Sequence, residues 1–193
     1  MNKKVLLTTV CRPIGPKFGD APSVGYELLY GQVTRAQGLF SPRALHLYFS
    51  LEYIAENLSA PTVVLQYPSR RELIQELKKG YDFVGIPFMM ALFHRMKEMV
   101  ALIRKHSPKS KIVLGGYGTI LSDEVLNPYA DYICREEGVG FFRKLLDEPA
   151  IEMPYAHPLI VSTMKIFSLP VSKTGMIFAG LGCPNGCDFC CTS

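Results

Sequence analysis

Five times within its first 147 residues the chain passes from a short apolar run into a stretch of helical periodicity, an alternation that few architectures accommodate. The runs are Lys4 to Val10, Pro61 to Gln66, Asp82 to Ile86, Lys111 to Leu114 and Ala130 to Cys134. None alternates cleanly between apolar and polar, which is the pattern of a strand covered on both faces. Between them Leu47, Leu51, Ile54 and Leu58 recur at spacings of three and four, as do Met89, Phe93, Met96, Val100 and Ile103. Shorter helices are predicted around Leu73, Ile74 and Leu77 and around Phe142, Leu145 and Leu146, and Ser69 followed by Glu72 has the form of a capping box. Strict alternation of this kind predicts an α/β fold, a doubly wound five-stranded parallel sheet of the flavodoxin-like or Rossmann-like type.

Sheets of this class bind ligands beyond the carboxyl ends of their strands. The segments expected to share one pocket are therefore Cys11 to Gly19, Pro87 to Met90, Gly115 to Thr119 and Arg135 to Gly138. Residues 20–43 are longer than an ordinary connection and are expected to be a functional loop. Residues 148–174 contain four prolines and little periodicity, reading as a linker, and Gly175 to Ala179 reads as the first strand of a second unit. The amino terminus has two lysines before an apolar run, but the run breaks at Cys11-Arg12-Pro13 without a cleavage pattern, so a buried strand is expected rather than a signal peptide. No apolar run reaches the roughly 18–20 residues that span a bilayer, and a soluble cytoplasmic protein without a membrane span is expected. The formal net charge of +4 comes from scattered Lys and Arg, a solvated surface rather than a nucleic-acid face. The methionines at helical spacing read as core filler, and His46, His94 and His106 read as surface or helix-end residues.

The cysteines are distributed unevenly. Cys11 and Cys134 stand alone near strand ends, as packing or pocket-lining residues, whereas the other four crowd into the closing GLGCPNGCDFCCTS. Cys183, Cys187 and Cys190 form C-x3-C-x2-C, with Phe189 before the third. Three thiolates on one tight loop can hold three irons of a four-iron four-sulfur cluster and leave the fourth open to an exchangeable ligand. Zinc or disulfides are the competing readings. A closed zinc site usually takes two separated ligand pairs, and Cys191 directly adjoins Cys190, where joint tetrahedral coordination is awkward.

This loop, with its spacing, its aromatic residue and the strand expected before it, resembles the cluster loop of the radical S-adenosylmethionine (SAM) enzymes. The resemblance implies that Cys183, Cys187 and Cys190 are the metal ligands and that the open iron binds SAM and cleaves it to a 5′-deoxyadenosyl radical. The first 147 residues resemble the cobalamin-binding domain that precedes the barrel in one radical SAM subgroup. The likeness rests on the alternation, on VGIPF at the third strand, on KIVLGGYGT at the fourth and on ADYICREEGVGFFRKLL at the fifth. It implies a cofactor rim made by Cys11, Arg12, Pro87, Phe88, Gly115, Gly116, Tyr117, Gly118, Thr119, Glu137 and Gly138, with the three rim glycines admitting a large ligand and Glu137 and Gly138 starting the last helix.

Many such domains carry Asp-x-His-x-x-Gly after the first strand, and this chain has Cys11-Arg12-Pro13-Ile14-Gly15; Pro87 stands where related domains often have serine. The implied cobalt therefore has no histidine below it. The implied division is a cobalamin-binding-like domain at 1–147, a linker at 148–174 and the start of a radical SAM domain at 175–193. Such a barrel continues for about 200 residues past its cluster loop. The resemblance thus implies the amino-terminal portion of a longer enzyme, inactive by itself, with a four-iron four-sulfur cluster, SAM and cobalamin as cofactors. Its reaction would methylate or rearrange an unactivated carbon of a small-molecule substrate, with flavodoxin or ferredoxin as electron donor. A non-catalytic corrinoid- or nucleotide-binding module is the alternative. A receiver-like domain shares the alternation but needs an aspartate at the third strand, which here ends Gly85-Ile86-Pro87.

Overall fold

A computed structural model describes residues 3–11, 48–166, 169–180 and 182 of the chain. Its first unit consists of β1 (Val5–Thr8), α1 (Phe49–Glu56), β2 (Thr62–Leu65), α2 (Arg70–Leu77), β3 (Phe83–Pro87), α3 (Phe93–His106), β4 (Lys111–Gly115), α4 (Asp123–Leu126), β5 (Tyr132–Ile133) and α5 (Gly138–Leu145). The five strands form one sheet in the order β2-β1-β3-β4-β5, every pairing parallel. This is the flavodoxin-like order, and each strand occupies one of the apolar runs read from the sequence.

Two cores cover the sheet. Leu73 and Leu77 of α2 and Met96, Met99 and Ile103 of α3 pack with Leu6, Val84, Ile86 and Leu114 on one face. Leu51 of α1 and Phe142 of α5 pack with Val5, Leu7, Phe83 and Val113 on the other. Each fully buried aliphatic side chain contributes about 1.5–3 kcal/mol, and supplying both faces is why the strands read as unbroken apolar runs. Met96 and Met99 are core filler as expected, whereas Met90 is exposed.

The starts of α2 and α5 are fixed by their own side chains. Ser69 Oγ accepts from the Glu72 N–H at 3.2 Å while Glu72 Oε2 accepts from the Ser69 N–H at 2.6 Å, the reciprocal capping box. Glu137 caps α5, its carboxylate accepting from the N–H groups of Val139 and Gly140 at 2.6 and 2.7 Å.

Residues 148–174 are not simply a linker. Within this stretch lies β6 (Ile160–Ile166), antiparallel to β7 (Leu169–Met176) in a separate two-stranded sheet. Gly175 and Met176 therefore end a hairpin strand instead of opening a new one. The four prolines concealed this pairing, since Pro170 falls near the start of a strand that, among the described residues, has no partner on its far side, where a missing N–H is tolerated.

Asp131 starts the β4–β5 ladder. Its N–H donates to Ile112 O at 2.9 Å, and its carboxylate accepts from the Ile112 N–H at 2.8 Å and pairs with Arg104 at 2.8 Å and Lys111 at 3.4 Å. Burial pushes this carboxyl up, but the Ile112 hydrogen bond and the two cations outweigh it, and the net shift is downward. A depressed carboxyl adds stability above its unfolded value, near 3.9, and loses it as pH falls through the folded value. Asp131→Asn is expected to cost about 1–2 kcal/mol at pH 7, and urea titrations should show the gap from wild type closing as pH falls from 5 towards 3; a pH-independent gap would contradict this role.

Candidate functional site

The turn after β4 is pinned to the end of β3 by three features. The Phe88 N–H donates to Gly115 O at 3.0 Å and Phe88 O accepts from the Gly118 N–H at 2.8 Å. Gly116 has φ +77°, in the left-handed region, and a Cβ there would lie 3.1 Å from Phe88 O and 3.3 Å from the Tyr48 hydroxyl. A Cβ on Gly118 would fall 2.2 Å from the Phe88 ring. Thr119 completes the turn, its hydroxyl donating to Gly116 O at 2.8 Å, and Thr119 O accepts from Arg135 Nε at 2.8 Å.

On the α1 and α5 side of this turn lies a cavity of about 490 Å³, within the range of small-molecule sites. Leu7, Gly85 and Val113 of the sheet line it, with Leu51 and Ile54 of α1 and Phe142 of α5. Pro87, Met89, Gly115, Gly116, Tyr117, Glu136 and Gly138 contribute from the carboxyl ends of the strands and the loops that follow. Tyr48, Phe49 and Ser50 contribute from the start of α1. Gly85 keeps the floor open to close packing, since a Cβ there would lie 2.8 Å from Leu7 and 2.9 Å from Phe142.

The rim residues read from the sequence divide into distinct groups. Pro87, Gly115, Gly116, Tyr117 and Gly138 are brought together in the cavity wall. Phe88 is buried in the core, Gly118 is covered by the Phe88 ring, and Thr119 is buried within its turn. Cys11 packs against the core on the α2 and α3 side and is not among the cavity residues. Glu137 serves as the α5 cap, and its Oε2 also accepts from the Tyr155 hydroxyl at 2.9 Å. The space expected beside Gly118 for a ligand is thus filled by the protein's own aromatic ring. Arg12, Cys183, Cys187 and Cys190 lie outside the described residues, as does His46. Among the described residues no group of three or more His, Cys, Asp or Glu is disposed to hold a metal ion, and no helix is long and apolar enough to cross a membrane.

The sequence reading missed Tyr48, Phe49, Tyr67 and Gly85, whereas Glu136 falls in the Arg135 to Gly138 segment expected at the pocket. Gly85 carried a usable signal, because a glycine inside an apolar strand often marks a close approach. Tyr67 carried none: it is a buried tyrosine at φ +44°, held by a 2.6 Å hydrogen bond from its N–H to Thr9 Oγ1, and tertiary packing sets that backbone angle. Comparison of the chain with protein-family models and with curated proteins gives no match.

Glu136 is the acidic residue in the cavity wall, and the α5 amino terminus beside it is already occupied by the Glu137 carboxylate. A polyphosphate would meet the Glu137 carboxylate where such folds usually offer free N–H groups, and the largely apolar lining suits a ligand with an apolar body. Cys134 also lines the cavity, and burial pushes its thiol up to about 11, although the backbone of Glu136 acts the other way. Little thiolate therefore forms near neutrality. Iodoacetamide at pH 8 should modify Cys134 about 100-fold more slowly in the folded chain than in urea, as read by peptide mass spectrometry; equal rates would mean that the cavity wall is open to solvent.

Proposed function

We propose that the chain binds a corrinoid at the carboxyl edge of its sheet and that Cys183, Cys187 and Cys190 ligate a SAM-cleaving four-iron four-sulfur cluster, as in a cobalamin-dependent radical SAM enzyme that methylates or rearranges an unactivated carbon. The observation that carries this reading is the cavity beside the Gly115-Gly116 turn, set between the sheet and α1 and α5, in a chain that also holds a three-thiolate motif of radical SAM spacing. A corrinoid fits the wall's chemistry. Its benzenoid tail base is flat and apolar, matching Leu7, Val113 and Phe142, and its peripheral amides can donate to Glu136. The nucleotide alternative is less well served, because Glu137 fills the helix terminus where phosphates would sit.

When bound, the corrinoid supplies organometallic methyl or radical chemistry and the reduced cluster supplies the electron that cleaves SAM. The chain's own residues bind and orient. Gly116 brings backbone to the cavity edge, Pro87 and Tyr117 shape its mouth, and the apolar floor excludes water. None of the described cavity residues is a histidine; with its tail base in the cavity the ligand would be held base-off, with no imidazole from these residues on cobalt.

Anaerobic reconstitution with hydroxocobalamin followed by desalting should leave about one corrinoid per chain. After reduction, its electron paramagnetic resonance signal should lack nitrogen splitting from a lower ligand. A nitrogen-split signal would refute the ligation, and loss of all corrinoid on desalting, with retention of a flavin or nucleotide instead, would overturn the reading. The cysteine motif is tested separately by iron and sulfide loading. Each of Cys183→Ala, Cys187→Ala and Cys190→Ala should lower iron content severalfold while Cys191→Ala leaves it unchanged; preferential zinc binding that needs Cys191 would point to a structural metal site.

A further inference from the structure

Phe49 faces two ways. It lines the cavity from the first turn of α1, and its ring centroid lies 4.9 Å from that of Phe178. Tyr53, one turn along α1, packs edge-on against His157 at 5.0 Å and against Phe178 at 6.2 Å. The His157 ring lies nearly parallel to that of Phe178, at 22°. Backbone bonds reinforce the aromatic contacts. His157 Nδ1 donates to Pro158 O at 2.7 Å, which leaves Nε2 to accept from the Phe178 N–H at 3.0 Å. Asn57, at the end of α1, exchanges two bonds with the backbone of Ala156, at 2.9 and 2.8 Å, and is itself buried. The far segment of the chain is thus fastened to the helix that walls the cavity.

We infer that His157 and Phe178 are positioning residues for the cavity: docked on α1 they brace the Phe49 wall, so ligand occupancy and docking of the segment around Phe178 favour each other. The inference rests on the reading of the cavity as a corrinoid site. A ligand in the cavity would add packing partners to the Phe49 ring beside those it has in Phe178. Phe49 is then held in the orientation that Phe178 packs against. Linkage is reciprocal, so a change that undocks Phe178 must weaken the ligand by the factor by which the ligand strengthens docking. The coupled segment is also an informative one. Phe178 precedes Cys183 by five residues, a span of at most about 18 Å, so docking limits how far the cysteine motif can lie from the cavity wall. Two cofactors that act on one substrate have to be held near each other, and this joint would tie the placement of one to the presence of the other.

The test measures hydroxocobalamin affinity by equilibrium dialysis and amide hydrogen exchange by mass spectrometry on the 193-residue chain. Saturating hydroxocobalamin should slow exchange at the Phe178 amide about fivefold, and Phe178→Ala should weaken binding by a similar factor, about fivefold. Phe178→Tyr, which keeps the ring, should restore wild-type affinity. Without ligand, His157→Phe keeps the stacking but removes the acceptor, and should speed exchange at Phe178 while the exchange of α2 and α3 stays unchanged. Unaltered affinity in Phe178→Ala together with ligand-insensitive exchange would overturn the linkage and leave the corrinoid reading standing. A loss of affinity that Phe178→Tyr does not restore would also overturn it, as the sign of general structural damage. Failure of the wild-type chain to take up hydroxocobalamin would overturn both.

Discussion

The contact between the Phe88 ring and Gly118 decides where the site can be. A ring packed within 2.2 Å of where a Cβ would stand leaves only glycine at position 118, and the two backbone hydrogen bonds between Phe88 and the Gly115–Gly118 turn fix that turn against the end of β3. The space over Gly118 is thereby filled by the Phe88 ring. Among the described residues the cavity lies on the α1 and α5 side, above Gly85 and Val113. The proposed ligand would therefore meet α1, α5 and the loop that joins β5 to α5.

That loop gives the wall its electrostatic character. Glu137 spends its carboxylate on the α5 amide groups and the Tyr155 hydroxyl, so the helix terminus that attracts phosphate in many related architectures is internally satisfied. Glu136, at the preceding position, is exposed and contributes to the cavity wall. Negative charge at the mouth and apolar surface within distinguish this cleft from a typical mononucleotide site, and this combination is why the proposed corrinoid reading is preferred to a nucleotide.

The same side of the molecule receives the chain beyond α5. Arg143, buried at 7% exposure, donates from Nε to Pro149 O and from its guanidinium to Asn57 O, both at 2.6 Å, and pairs with Glu148 at 3.1 Å. Glu148 in turn accepts from the Ser59 and Ala60 N–H groups. These bonds route the chain back across the end of α1, where Asn57, His157 and Phe178 continue the attachment. Helix α1 therefore belongs both to the cavity and to this attachment, which is the contact on which the proposed coupling rests.

The five strands, their parallel arrangement, the capping box at Ser69 and the α5 start at Glu137 were all legible in the sequence, because each depends on local pattern or on a pair of residues a few positions apart. So was the placement of Pro87, Gly115, Gly116, Tyr117 and Gly138 at the carboxyl edge, which follows from strand position in a parallel sheet. The three-cysteine motif was legible as a spacing, and it lies outside the described residues. The sequence could not reveal that Phe88 would fill the space over Gly118, that Cys11 would turn to the other core, or that Phe49 would join the cavity to Phe178, 129 positions away. Strand periodicity states which residues reach an edge, but which of them meet a ligand and which meet each other depends on side-chain volumes brought together from distant elements, and only the packed tertiary structure resolves that competition.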